Sequence, residues 1–71
     1  ISVYPNPSAD LIMINGVIEY PIQYSLFGVD GKLVFDGEIN EMNPKIDLSK
    51  LSPNIYYLKL ENRTLKVFKK K

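Results

Sequence analysis

Seventy-one residues make one small domain, and a domain of this size buries only about 60% of its unfolded surface, so its stability is modest. Cysteine, histidine and tryptophan are all absent, which removes disulfides, cysteine zinc sites and the usual general base and nucleophile pair. Nine basic residues against eight acidic ones leave a net charge of +1, so no global field favours nucleic acid.

In chain order the sequence reads as short strands separated by turn residues, the pattern of an all-β sandwich. Ile1 to Tyr4 is extended, and Pro5 and Pro7 end it, since neither proline can donate to a ladder. Asp10 to Ile14 is a second strand, apolar on both faces, followed by the turn signal Asn15-Gly16. Val17 to Tyr20 fits either a returning hairpin strand or a loop. Ile22 to Phe27 alternates, with Ile22, Tyr24 and Leu26 inward. Asp30-Gly31 then turns the chain into Lys32 to Ile39, where Leu33 and Phe35 oppose Val34 and Asp36. Asn40 to Pro44 is a polar connection long enough to cross between sheets. The longest uncharged stretch, Tyr20 to Val29, is far too short to span a bilayer.

The segment Ile46 to Leu60 organises the rest. Ile46 and Leu48 point one way from a short strand, and Asp47 and Ser49 the other. Pro53 then pushes Ser52 toward extended conformations. Asn54 stands where the reversal is expected, as the non-glycine residue that best tolerates left-handed φ. Beyond it Tyr56, Leu58 and Leu60 share one face. Leu51-x-Pro53-Asn54-x-Tyr56 has the spacing of a tyrosine corner, whose hydroxyl bonds back to upstream backbone; the alternative is an ordinary loop with a core tyrosine. Asn62-Arg63 makes the last reversal, and Thr64 to Phe68 is the final strand before three lysines. The expected core is Tyr24, Leu26, Leu33, Ile46, Leu48, Leu51, Tyr56, Leu58 and Leu60. The fold class that follows is all-β, a small immunoglobulin-like Greek-key sandwich of about seven antiparallel strands.

Chemistry-bearing patterns are sparse. Asp30, Asp36, Asp47, Glu38 and Glu41 have neither the alternate-position oxygens of a calcium loop nor a carboxylate marked for burial. Asn62-Arg63-Thr64 is formally a glycosylation acceptor, but the tight turn explains it. Most aromatics fit inward positions; Tyr57 and Phe68 share faces with charged residues and are the best candidates for an exposed platform. Catalytic, cofactor-binding and metal residues are therefore expected to be none. The terminal Lys66-Val67-Phe68-Lys69-Lys70-Lys71 is either a recognition tail or a solvated, frayed end.

Four segments in register carry a resemblance over essentially the whole chain: Val3-Tyr4-Pro5-Asn6-Pro7, Tyr24 through Gly31-Lys32-Leu33-Val34, Ile46-Asp47-Leu48-Ser49-Lys50-Leu51 leading to Tyr56, and the lysine-rich end. Together they resemble the type IX secretion (Por secretion) C-terminal sorting domain, type A. The family-motif positions are Tyr4, Pro5, Asn6, Pro7, Gly31, Lys32, Leu51, Asn54 and Tyr56. Two departures stand out: the family usually has glycine where Asn54 is, and a polar Asp or Asn where Gly28 is.

The resemblance implies a non-catalytic signal on residues 1–71, a fragment of a longer secreted protein. Its partners would be a cargo domain earlier on the same chain, the type IX outer-membrane translocon, and a sortase-like peptidase that removes the domain. No nucleic acid, small-molecule substrate or cofactor is implied. The destination would be secretion or the cell surface, by way of the periplasm and outer membrane. Candidate translocon-recognition residues are Lys66, Phe68, Lys69, Lys70 and Lys71. The absence of a leader and an initiator methionine agrees with an excised tail. The alternatives are an immunoglobulin-like stalk or carbohydrate-binding module, which needs an exposed aromatic platform, and a small nucleic-acid-binding barrel, which the even charge disfavours.

Overall fold

A computed structural model describes residues 2–4, 10–16, 19–42 and 44–70. Among them are seven strands: β1 (Ser2–Tyr4), β2 (Leu11–Asn15), β3 (Ile22–Phe27), β4 (Leu33–Ile39), β5 (Lys45–Asp47), β6 (Asn54–Leu60) and β7 (Arg63–Lys69). They form two antiparallel sheets, one of three strands in the order β1-β2-β5 and one of four in the order β4-β3-β6-β7. The chain changes sheet after β2, after β4 and again after β5, which is the Greek-key path of an immunoglobulin-like sandwich. Val17 and Ile18 lie outside the described residues, and Glu19 and Tyr20 form a bend before a cis peptide at Pro21.

Period-2 alternation decides which face each strand buries. Ile12 and Ile14 of β2 and Ile46 of β5 meet Ile22, Leu26, Ile39, Tyr56, Leu58, Leu60 and Val67 of the larger sheet, with Leu48 closing one end. Tyr24, Phe35, Leu51 and Leu65 pack against this cluster from its margin. Leu33 does not join it, being 53% exposed. The pairing of β3 with β4 slips between Leu26, opposite Phe35, and Phe27, opposite Leu33. Val34 is the extra residue of that bulge, and Leu33 follows Phe27 to the outer face while Phe35 stays inward. Further along, Tyr24 faces Gly37 and meets Phe35 edge-on, ring centroids 6.3 Å apart at 85°.

The last hairpin closes at the pair Leu60–Arg63, so its two turn residues are Glu61 and Asn62, one position earlier than the sequence suggests. Glu61 carries φ = 52°, the one positive φ at a non-glycine position among the described residues. Left-handed backbone costs a residue with a Cβ about 1–2 kcal/mol. Glu61→Gly is therefore expected to raise stability by about 1 kcal/mol, less the glycine's own entropy, seen as a higher urea midpoint at unchanged slope.

Candidate functional site

The sequence places the motif residues far apart, and the topology gathers many of them. The β3–β4 hairpin tip, the β5–β6 connection and the end of β7 all lie at one end of the sandwich. Gly31, Lys32, Leu51, Asn54 and Lys69 therefore share that end, with Tyr56 just inside it. Tyr4 ends β1 on the same side, and its side chain is exposed. Pro5, Asn6, Pro7 and Lys71 lie outside the described residues.

The hairpin tip is a tightly bonded loop. The Gly28 amide donates to the Lys32 carbonyl at 3.0 Å, and the Gly31 amide to the Gly28 carbonyl at 3.0 Å. Gly31 has φ = 81°, which a side chain would oppose, and the Asp30 carboxylate accepts from the Lys32 amide at 3.0 Å. Gly28 falls just beyond the end of β3.

The corner is formed. The Tyr56 hydroxyl donates to the Ser52 carbonyl at 2.8 Å, four residues upstream, while its ring is buried in the core. The reversal itself is made earlier than expected. The Leu51 amide donates to the Leu48 carbonyl at 3.0 Å, and the Ser49 amide to the Asp47 carboxylate at 2.9 Å. Hydrogen bonding from Ser49, side chain and backbone, with Lys50 nearby, holds the Asp47 carboxyl below its ordinary range. Asn54 is then already the first residue of β6, paired with Lys69, with its side-chain oxygen accepting from the Ile55 amide at 2.8 Å. It does not occupy the left-handed region, so glycine gains nothing there. Asn54→Val is expected to match the parent within about 0.5 kcal/mol, and Asn54→Gly to be no more stable, by denaturation midpoints.

On β7, Leu65 and Val67 face the core. Lys66 and Phe68 face out, with the Lys66 amine 5.6 Å from the Phe68 ring centroid. Lys69 is not part of a frayed end: it closes β7, is only 8% exposed, and its amine donates to the Lys70 carbonyl at 2.8 Å. Its inward parity is tolerated because a lysine stem can lie along apolar surface while the amine reaches outward.

Among the described residues, one concavity of about 390 Å³ is an open hollow on the outer face lined by Gln23, Tyr24, Asp36, Lys59 and Glu61 among others. Burial, with the Asp36 charge beside it, pushes the Tyr24 phenol up. No group of three or more metal-ligating side chains occurs among the described residues. In comparison with known proteins, the family model described as "Secretion system C-terminal sorting domain" matches residues 2–71. No curated protein and no solved structure matches the chain.

Proposed function

Because the chain belongs to the type IX secretion C-terminal sorting domain family, we propose that the outward face of β7 and the lysine-rich end are the part of the signal that the outer-membrane translocon reads. A domain of this family is a non-catalytic sorting signal that follows a cargo on the same chain, is recognised by the type IX secretion system, and sends the cargo to the cell surface or outside. Residues 1–71 form a single sorting domain at the end of a longer secreted protein, which crosses the periplasm before the translocon takes it up. A sortase-like peptidase then removes the domain.

The observation that carries the assignment to β7 is that Lys66 and Phe68 stand on its outer face, where the core does not use them. Exposed lysines add little to folding, while they contribute to encounter and orientation with a partner. Lys69 belongs to the ladder, so a truncation that isolates recognition from folding must stop after it.

A reporter carrying the chain at its C-terminus, in a host with this machinery, is expected at the cell surface or in the medium. Removing Lys70 and Lys71, or changing Lys66 and Lys70 to glutamate, should leave the melting temperature within a few degrees and strand the reporter in the periplasm. Export of these variants at the parent level would place the address elsewhere, with the loops around Asn6 and Gly31 next. Failure of the parent to export would overturn the sorting role itself.

A further inference from the structure

The outer face of the four-stranded sheet carries an apolar strip that the core does not explain. Strand register lines up Leu33, Phe27, Tyr57 and Lys66 across β4, β3, β6 and β7, and the adjoining row pairs Ile55 with Phe68. Leu33 reaches this face only through the bulge at Val34. Val29, in the hairpin tip beside the strip, is 61% exposed, and Val34 and Phe68 are exposed as well. A hydrogen-bonded turn holds Val29 in place, closed by the Gly28 amide donating to the Lys32 carbonyl.

Charge is segregated along the strands. Lys32 in the tip, Lys50 in the β5–β6 turn and Lys70 after β7 lie at the strip's end, with Lys66 in the strip. Asp10, Asp30 and Asp47 are the acids there, and Asp30 and Asp47 accept from neighbouring backbone amides. All four glutamates, Glu19, Glu38, Glu41 and Glu61, lie at the opposite end. Lys45 and Arg63 offset two of these glutamates, whereas Lys32, Lys50, Lys66, Lys69 and Lys70 outnumber the three aspartates. The strip's end is thus apolar with a modest basic excess, and the other end has a modest acidic one.

We propose that this apolar, basic end docks on an anionic lipid bilayer, with the Val29 tip and the Leu33–Phe68 strip entering the headgroup region and the glutamates held away from it. A second copy of the chain fits poorly. The strip crosses four strands, roughly 14 Å by 7 Å from strand spacings, far below the roughly 800 Å² per partner of a stable interface. Packing two such ends together would also oppose like charges. A bilayer needs no matching relief: inserted apolar side chains and lysines near anionic headgroups suffice. This surface goes beyond the export reading and does not depend on it, because its test involves no translocon.

The chain lacks tryptophan, so single-tryptophan variants are clean probes. Val29→Trp is compared with Met42→Trp, which sits at the glutamate end on a residue 95% exposed. With vesicles of equal parts phosphatidylcholine and phosphatidylglycerol, Val29→Trp emission should shift to the blue and Met42→Trp emission should not. With phosphatidylcholine alone, neither should shift. In the Val29→Trp background, Lys32→Gln should weaken partitioning about fivefold, and Leu33→Ser should weaken it further, whereas Lys45→Gln should leave it unchanged. Thermal melts without lipid show that each variant is folded. No shift of Val29→Trp, equal shifts of both probes, or equal partitioning into neutral vesicles would overturn the proposal. Binding to polyglutamate with none to vesicles would do so too, in favour of an acidic peptide.

Discussion

Tyr56→Ala is expected to cost roughly 3–5 kcal/mol, the range for truncating a large buried aromatic. In a domain of this size that approaches the whole stability, so the variant should be largely unfolded at physiological temperature. Two effects combine. The ring fills the core between β6 and its neighbours, and the hydroxyl ties β6 to the Ser52 carbonyl. Tyr56→Phe separates them: the ring stays, only the hydrogen bond is lost, and the cost should be about 0.5–1.5 kcal/mol because Ser52 is exposed and water can satisfy its carbonyl. Urea denaturation of both variants checks the division. Equal costs for Tyr56→Phe and Tyr56→Ala would show instead that the corner bond outweighs the packing.

The second large effect is expected at Gly37, in the middle of β4. A Cβ there would stand 2.9 Å from the Tyr24 hydroxyl oxygen and 3.1–3.2 Å from two ring carbons. The tyrosine ring thus lies over bare backbone, and any side chain must displace it from its edge-on contact with Phe35. Gly37→Val should destabilise by about 1–3 kcal/mol, as overpacking does, although valine is otherwise the better strand residue. In a Tyr24→Ala background the penalty should vanish or reverse. A double-mutant cycle on denaturation midpoints measures this coupling, and an additive result would show that the ring has room to move.

The alternation of Ile22, Tyr24 and Leu26, the turn at Asp30-Gly31 and the corner spacing from Leu51 to Tyr56 were legible because each is a local pattern with one dominant physical cause. Leu33 was not legible. A bulge shifts parity by one residue, and nothing in Lys32-Leu33-Val34-Phe35 says which apolar side chain is the extra one. Strand β2 hides its inner face for a similar reason: Leu11 and Met13 are as apolar as Ile12 and Ile14, so alternation carries no signal. Residue preference points to Asn54 for the left-handed backbone, but the closing pair Leu60–Arg63 imposes it on Glu61. The charge of Lys69 suits a recognition tail or a solvated end, and only strand parity turns it inward. At the candidate site, individual motif positions were visible one by one. Their gathering at one end, and the strip from Leu33 to Phe68, depend on the strand order β4-β3-β6-β7, which no local pattern encodes.

The two terminal strands run in the same direction, and that fixes how the domain answers a pull. Ser2 opens β1 at the glutamate end, and Lys69 closes β7 at the opposite end. A pull applied between the two ends, from a cargo before β1 and from the contact proposed at the lysine end, therefore acts along the strands. Such loading shears the ladders, so their hydrogen bonds resist together and do not open one by one. The three-residue β1 must yield before the seven-residue β7. Under traction the domain would release its cargo-side strand first and keep the strand at the gripped end folded longest.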